Sequence, residues 1–191
     1  MLPIVAYGHP TLRKISVDID KDYPELDKLI EKMFDTMYSS VGVGLAAPQV
    51  NKNIRLFIID ASPYEKDIPE AKGFKKVFLN AKIVEEAGEL WTTDEGCLSI
   101  PNIREDVSRK SMLRIQYYDE NWKFHDKTYG GFIARIIQHE YDHLEGILFT
   151  DKVSSLRKTL LKRKLNEISN GKVKVDYRMI FPGAKKRIKR T

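Results

Sequence analysis

Gly130-Gly131-Phe132-Ile133-Ala134-Arg135-Ile136-Ile137-Gln138-His139-Glu140-Tyr141-Asp142-His143-Leu144-Glu145-Gly146 is the stretch that decides how this chain is read. Its apolar residues recur at helical spacing. That spacing predicts a helix from about Phe132 to Glu145, opened by the glycine pair and stopped near Gly146. His139-Glu140-x-x-His143 lies inside it. At about 100° per residue, position i+4 returns to within about 40° of position i. Both imidazoles therefore leave one face, one turn apart, and can converge on one metal ion. Glu140 lies about 100° round, poorly placed as a third ligand but able to take the proton of a water on the ion. Phe132 and Ile136 share the histidine face, and Ile133, Ile137 and Leu144 lie near Glu140. Gln138, Tyr141 and Glu145 are expected on the outward side. Burying two unpaired histidines and a carboxylate is unfavourable, and an ion relieves that. With four His and thirteen Glu in the chain, a shuffle gives this motif only about half a per cent of the time.

Outward from this helix the pattern is mixed. Pro24 to about Tyr38 reads as an amphipathic helix, with Leu26, Leu29, Ile30, Met33 and Met37 on one side and Pro24 in its first turn. Strands are expected at Arg55–Asp60, Lys76–Asn80, Ile83–Leu90, Met112–Asp119 and Lys123–Lys127, with Asp119-Glu120-Asn121 as a hairpin turn. Ser62–Gly73 reads as an exposed loop. Ser154–Ser169 reads as a basic helix docked through Leu156, Leu160, Leu161, Leu165 and Ile168, and the end of the chain after it as loosely held. The order of elements gives an α+β fold. Short, mostly antiparallel β-sheets pack around a central metal-binding helix, and a C-terminal basic helix is added. The expected organisation is one catalytic domain over residues 1–170 and a basic tail over 171–191.

Composition removes several function classes. The longest clean apolar run is Leu56–Ile59, far below the roughly 20 residues of a bilayer span. The first residues show no basic stretch followed by a long apolar one, so a cytoplasmic location is expected. Cys97 is the single cysteine and cannot close an internal disulfide; it is inert, reactive or a ligand. Residues 1–151 carry 19 Lys+Arg against 25 Asp+Glu, a net charge of −6. The last forty residues carry 14 against two, a net of +12, which suits an anionic partner such as a nucleic-acid-containing particle.

A catalytic zinc-type site takes three protein ligands and keeps one position open. Two residues are candidates for the third ligand. Glu167 follows His143 by 24 positions, a distance compatible with a thermolysin-like metalloprotease. Cys97 lies upstream in Glu95-Gly96-Cys97-Leu98-Ser99, where a thiolate after a strand can point inward.

Three segments in order give the chain a resemblance to peptide deformylase: Gly42-Val43-Gly44-Leu45-Ala46-Ala47-Pro48-Gln49, then Glu95-Gly96-Cys97-Leu98-Ser99, then Gln138 through Gly146. The resemblance covers roughly residues 1–168. It implies removal of the formyl group from the N-terminal formyl-methionine of new polypeptides, releasing formate by attack of a metal-bound water activated by Glu140. Cys97, His139 and His143 would then be the metal ligands. Gln49 and the backbone N–H of Leu98 would hold the carbonyl oxygen, and Arg104 would contact substrate backbone. Val43 and Gly44 would lie along the substrate as an added strand. Val43, Leu98, Phe132, Ile136 and His139 would line a methionine pocket. One divalent ion per chain is implied. The resemblance favours Fe(II) in the cell, and Zn(II), Ni(II) or Co(II) suit the same thiolate and imidazole donors. The implied partners are formyl-methionyl nascent peptides, with ribosome contact through the basic C-terminal region and no membrane.

Overall fold

The computed structural model describes residues 1–184; the expectation for the very end of the chain lies outside them. Strands are β1 (Ile4–Val5), β2 (Gly44–Ala46), β3 (Leu56–Asp60), β4 (Lys75–Cys97), β5 (Ile100–Tyr118), β6 (Phe124–Gly130) and β7 (Met179–Ile180). Helices are α1 (Leu26–Ser39), α2 (Gly131–Leu144) and α3 (Ser155–Ser169). An antiparallel sheet runs in the order β2-β3-β4-β5-β6, and β1 pairs with β7 in parallel. The class is the α+β arrangement expected, with α2 packed at its centre.

The run Leu56–Ile59 shows why. It is apolar at every position because β3 is covered on both faces. Phe57 and Ile59 pack with Ile133, Ile136 and Ile137 of α2. Leu56 and Ile58 pack with Ile30, Met33 and Met37 of α1 on the other face. A third apolar cluster joins Ile103 and Val107 of β5 to Leu161, Leu165 and Ile168 of α3.

Several local expectations are corrected. The strands are not all short: β4 has 23 residues and β5 has 19, and they pair through most of their length. Register shifts near Asn80, Gly88 and Gly96 bend this hairpin, as bulges do. Pro24 stands outside α1; Glu25 caps the helix in the left-handed region, φ 52°. Leu156 and Leu160 do not dock, being 69% and 58% exposed. Arg157 beside them instead grips Glu105 of β5 with two hydrogen bonds, 2.5 and 2.7 Å. Residues 171–184, read as a basic tail, return to the body, where β7 joins the N-terminal strand.

α2 stops where expected. Gly146 follows the helix at φ +69°, and a Cβ there would lie 2.8 Å from the Arg13 backbone. Only glycine meets both demands.

Candidate active site

α2 runs beneath the sheet, and the hairpin β4–β5 turns over it at Leu98-Ser99. That turn presents Cys97, the last residue of β4, to the two histidines of α2. One ligand atom from each of Cys97, His139 and His143 falls within 4.8 Å of the others. Cys97 Sγ lies 3.3 Å from His143 Nε2. The imidazole rings stand 5.3 Å apart at 83°. Glu167 is elsewhere, on exposed α3, paired with Arg163 at 3.1 Å. Of the two candidate third ligands, the fold brings only Cys97 to the histidines.

The donor set fits a divalent ion. The Cys97 sulfur and two imidazoles converge, and beside them the buried Glu140 Oε2 has no hydrogen-bond partner. Burial would lower the His139 pKa, but Cys97 and Glu95 together raise it well above its ordinary value. His143 is driven the other way, by burial and by the His139 charge, and is neutral.

Glu95 was not given a role from the sequence. It accepts from Arg109 at 2.6 and 2.9 Å, from Arg135 at 2.9 Å and from His139 Nδ1 at 3.0 Å. Fixing Nδ1 turns Nε2 of His139 towards the cluster. Arg109 also reaches Asp142 at 2.7 Å, so one buried guanidinium ties the strand carboxylate to the ligand helix. Burial would raise the Glu95 carboxyl, but Arg109 and His139 hold it well below the usual carboxylate range. Gln138, expected to face outward, is 2% exposed and donates to the Lys110 carbonyl at 3.0 Å. Arg135 and Asp142 are buried too, so α2 is enclosed on nearly every side.

The cluster opens into a cleft of about 690 Å³. Val43, Gly44, Gln49, Cys97, Leu98, Arg104, Phe132, Ile136, His139 and Glu140 all line it; His143 sits behind. Gln49 is oriented by its surroundings. The Ala46 N–H donates to its Oε1 at 2.8 Å, which leaves Nε2 3.4 Å from Cys97 Sγ and facing the site. Arg104 stands at the rim, its guanidinium paired with Asp94. The 62–73 loop contributes Tyr64, whose ring lies 5.2 Å from that of Phe132 in the same wall. No periodicity marks that loop, and only its aromatic residue hinted at a contact.

Glu140 is 4% exposed. Burial pushes its carboxyl up to about 7; the His139 charge opposes the rise, Glu95 adds to it and Arg109 opposes it. A folded-state pKa above the ordinary 4.5 gives a contribution that is full below about pH 4.5 and is lost as pH rises through about 7. Gln in its place carries no such dependence. In chelator-treated protein, the stability difference should move in favour of Glu140→Gln by about 3 kcal/mol between pH 4 and pH 8. Denaturant titration of both chains reads it, and a pH-independent difference would contradict the assignment.

β2 passes directly against this carboxylate. A Cβ on Gly44 would lie 2.4 Å from Glu140 Oε1 and 2.8 Å from its Cδ. Gly44→Ala should therefore displace the carboxylate and lower kcat by about 10²-fold, with metal content intact. Steady-state kinetics beside metal analysis checks this. An unchanged kcat would mean that the carboxylate position does not matter.

A buried helix carrying two histidines and a carboxylate, a cysteine converging on them, and a cleft that the Gln49 amide faces make a candidate metallohydrolase site. The comparisons narrow the class. The profile of the polypeptide deformylase family matches residues 1–159. A peptide deformylase of Christiangramia forsetii is 56% identical, covering 97% of this chain and 98% of that one. Another, of Flavobacterium johnsoniae, is 53% identical with the same coverage. Among solved structures, the chain is similar to a peptide deformylase from Legionella pneumophila, with TM-score 0.78 and 35% identity over 90% of this chain and 97% of that one. It is also similar to one from Synechococcus elongatus in complex with actinonin, with TM-score 0.74 and 38% identity over 90% and 87%. The chain belongs to the polypeptide deformylase family. It is a metalloenzyme that removes the formyl group from nascent peptides.

Proposed function

We propose that Glu140 is the proton carrier of this deformylation and that Cys97, His139 and His143 hold its single divalent ion. The observation that supports this most is the unpartnered, buried Glu140 Oε2 beside a convergent thiolate and two imidazoles. When bound there, a divalent ion supplies Lewis acidity that brings the pKa of a water from 15.7 towards about 7. Glu140 Oε2 takes the proton of the attacking water as the new bond to the formyl carbon forms. Gln49 Nε2 and the Leu98 N–H donate to the formyl oxygen as it gains charge. Glu140 then gives its proton to the methionine nitrogen as the C–N bond breaks. Formate and a free amino terminus leave.

The substrate lies along Val43-Gly44 as an added strand, on the outer edge of the sheet that β2 forms. Val43, Leu98, Phe132 and Ile136, with His139 at its floor, make an apolar pocket for the unbranched methionine side chain. Arg104 leaves Asp94 to contact substrate backbone. The test is direct. Protein purified without oxygen is given a formyl-Met tripeptide, and formate and peptide mass are followed together. Formate release with intact peptide bonds is the expected result; cleavage inside the peptide would overturn the reading.

Iron(II) is the ion in the cell on this account, with zinc, nickel or cobalt able to occupy the same donors. Metal analysis of anaerobically purified protein checks it. The enzyme works in the cytoplasm, where nascent chains emerge; among the described residues no helix is long and apolar enough to cross a membrane. Basic α3, with Leu156 and Leu160 exposed on it, is the face that meets the ribosome. Co-sedimentation with ribosomes at low salt, lost as salt rises, is expected. Absence of co-sedimentation at low salt would sink that contact.

A further inference from the structure

The segment Val173-Lys174-Val175-Asp176-Tyr177-Arg178-Met179-Ile180-Phe181 lies beyond the residues matched by the family profile. Its odd positions are partly buried and its even positions exposed, throughout. That is the period of an extended chain with one face against the body. Val173, Met179 and Phe181 pack on the apolar cluster between β5 and α3. Backbone bonds fix its far end: the Ile4 N–H donates to the Arg178 carbonyl and the Ala6 N–H to the Ile180 carbonyl, both at 2.9 Å. Two further bonds tie the strap and β1 to the active-site hairpin. Asn102 Nδ2 donates to the Lys174 carbonyl at 3.3 Å, and the Tyr7 N–H donates to the Ser99 carbonyl at 2.9 Å.

Between these anchors, Lys174 to Tyr177 form part of the cleft wall itself. Tyr177 sends its hydroxyl to the Leu98 carbonyl, 2.8 Å away. The Leu98 side chain also packs closely on Gly42, where a Cβ would lie 2.9 Å from its Cδ1. The turn between Cys97 and Ile100 contains only Leu98 and Ser99. Its few dihedrals couple the Leu98 carbonyl to the preceding peptide, which carries the Leu98 N–H.

We propose that Tyr177 is a positioning residue of the active site, whose hydroxyl fixes the Leu98 carbonyl and thereby the direction of the Leu98 N–H towards the formyl oxygen. This rests on the role assigned above to that N–H. Through Tyr177 the C-terminal strap reaches the catalytic cleft, while Val173 lies outside the cleft lining. An oxyanion donor matters only as charge develops, so its misdirection shows in kcat and leaves KM nearly alone.

Three variants of the full chain test this, each assayed on a formyl-Met tripeptide with metal content measured. Tyr177→Phe keeps the ring and removes only the hydroxyl. It should lower kcat about tenfold with KM within about twofold, since small misplacements of a donor cost this much or more. Val173→Ala loosens the strap away from the cleft and should leave kcat within about twofold of the parent. Replacing Leu98 by its α-hydroxy acid removes the N–H and keeps the carbonyl, and should lower kcat about 10²-fold. A kcat loss in the Leu98 ester but not in Tyr177→Phe overturns the proposal and leaves the donor role standing. No loss in the ester overturns both. Equal losses in Tyr177→Phe and Val173→Ala would show mere loosening of the strap, and would also overturn it.

Discussion

Glu140→Gln is expected to lower kcat by 10³- to 10⁴-fold, on the order of the upper range for a general acid–base group, while metal content stays unchanged. The upper range applies because one carboxylate is asked for two transfers, from the water and then to the leaving amine. The amide keeps the size of the side chain and so the contact with β2 at Gly44. It removes only the capacity to hold a proton between the two steps. Its effect should fall on kcat with KM little changed, because the group acts after substrate is bound. A loss smaller than tenfold, with formate still released, would take Glu140 out of the proton path.

The second large effect is on the framework. Glu95→Ala leaves buried Arg109 with Asp142 as its one carboxylate and buried Arg135 with backbone carbonyls alone. Removing one partner from a buried ion pair costs about 3–5 kcal/mol, because the other charge stays desolvated. In a domain of this size that is a fall in Tm of roughly 6–20 °C. The milder Glu95→Gln should survive purification and reveal the other half of the role. His139 loses the carboxylate that fixes its Nδ1, and metal affinity should drop about 10- to 100-fold. Calorimetry and competition with a chelator read the two effects separately. Full stability in Glu95→Ala would mean that the arginines find other partners and that the network is not what holds α2 to the hairpin.

These two residues mark where the sequence was legible and where it was not. Glu140 could be placed because the helix period is strict and its motif has a chemical reason. Glu95 could not, since an acidic residue in a strand reads as exposed until its partners are known. The partners are scattered: Arg109 is in β5 and Arg135 and His139 are in α2. The same limit explains Gln138, which polarity alone assigns to solvent although its amide bonds to the Lys110 and Ala134 carbonyls.

The long arms of β4 and β5 were half missed for a related reason. In β4, Glu85, Glu86, Leu90, Trp91 and Thr92 are exposed, and a strand wet on both faces shows no alternation; in β5 burial does alternate, but two of the buried positions are Glu105 and Arg109. The strap shows the opposite case. Its alternation from Val173 to Phe181 is plain in the sequence, but Lys174 and Arg178 merge it with the basic end of the chain. On α3, leucines at helical spacing overstate the docked face. Only Leu161, Leu165 and Ile168 meet the body, while Leu156 and Leu160 stay in water.

The claim on which everything else depends is that the thiolate of Cys97 joins His139 and His143 on one ion. X-ray absorption at the edge of the metal bound to anaerobically purified protein reads those donors directly. The expected spectrum has one sulfur at about 2.3 Å and two imidazole nitrogens, with the sulfur absent in Cys97→Ser. A shell of nitrogen and oxygen alone in the parent protein would contradict it.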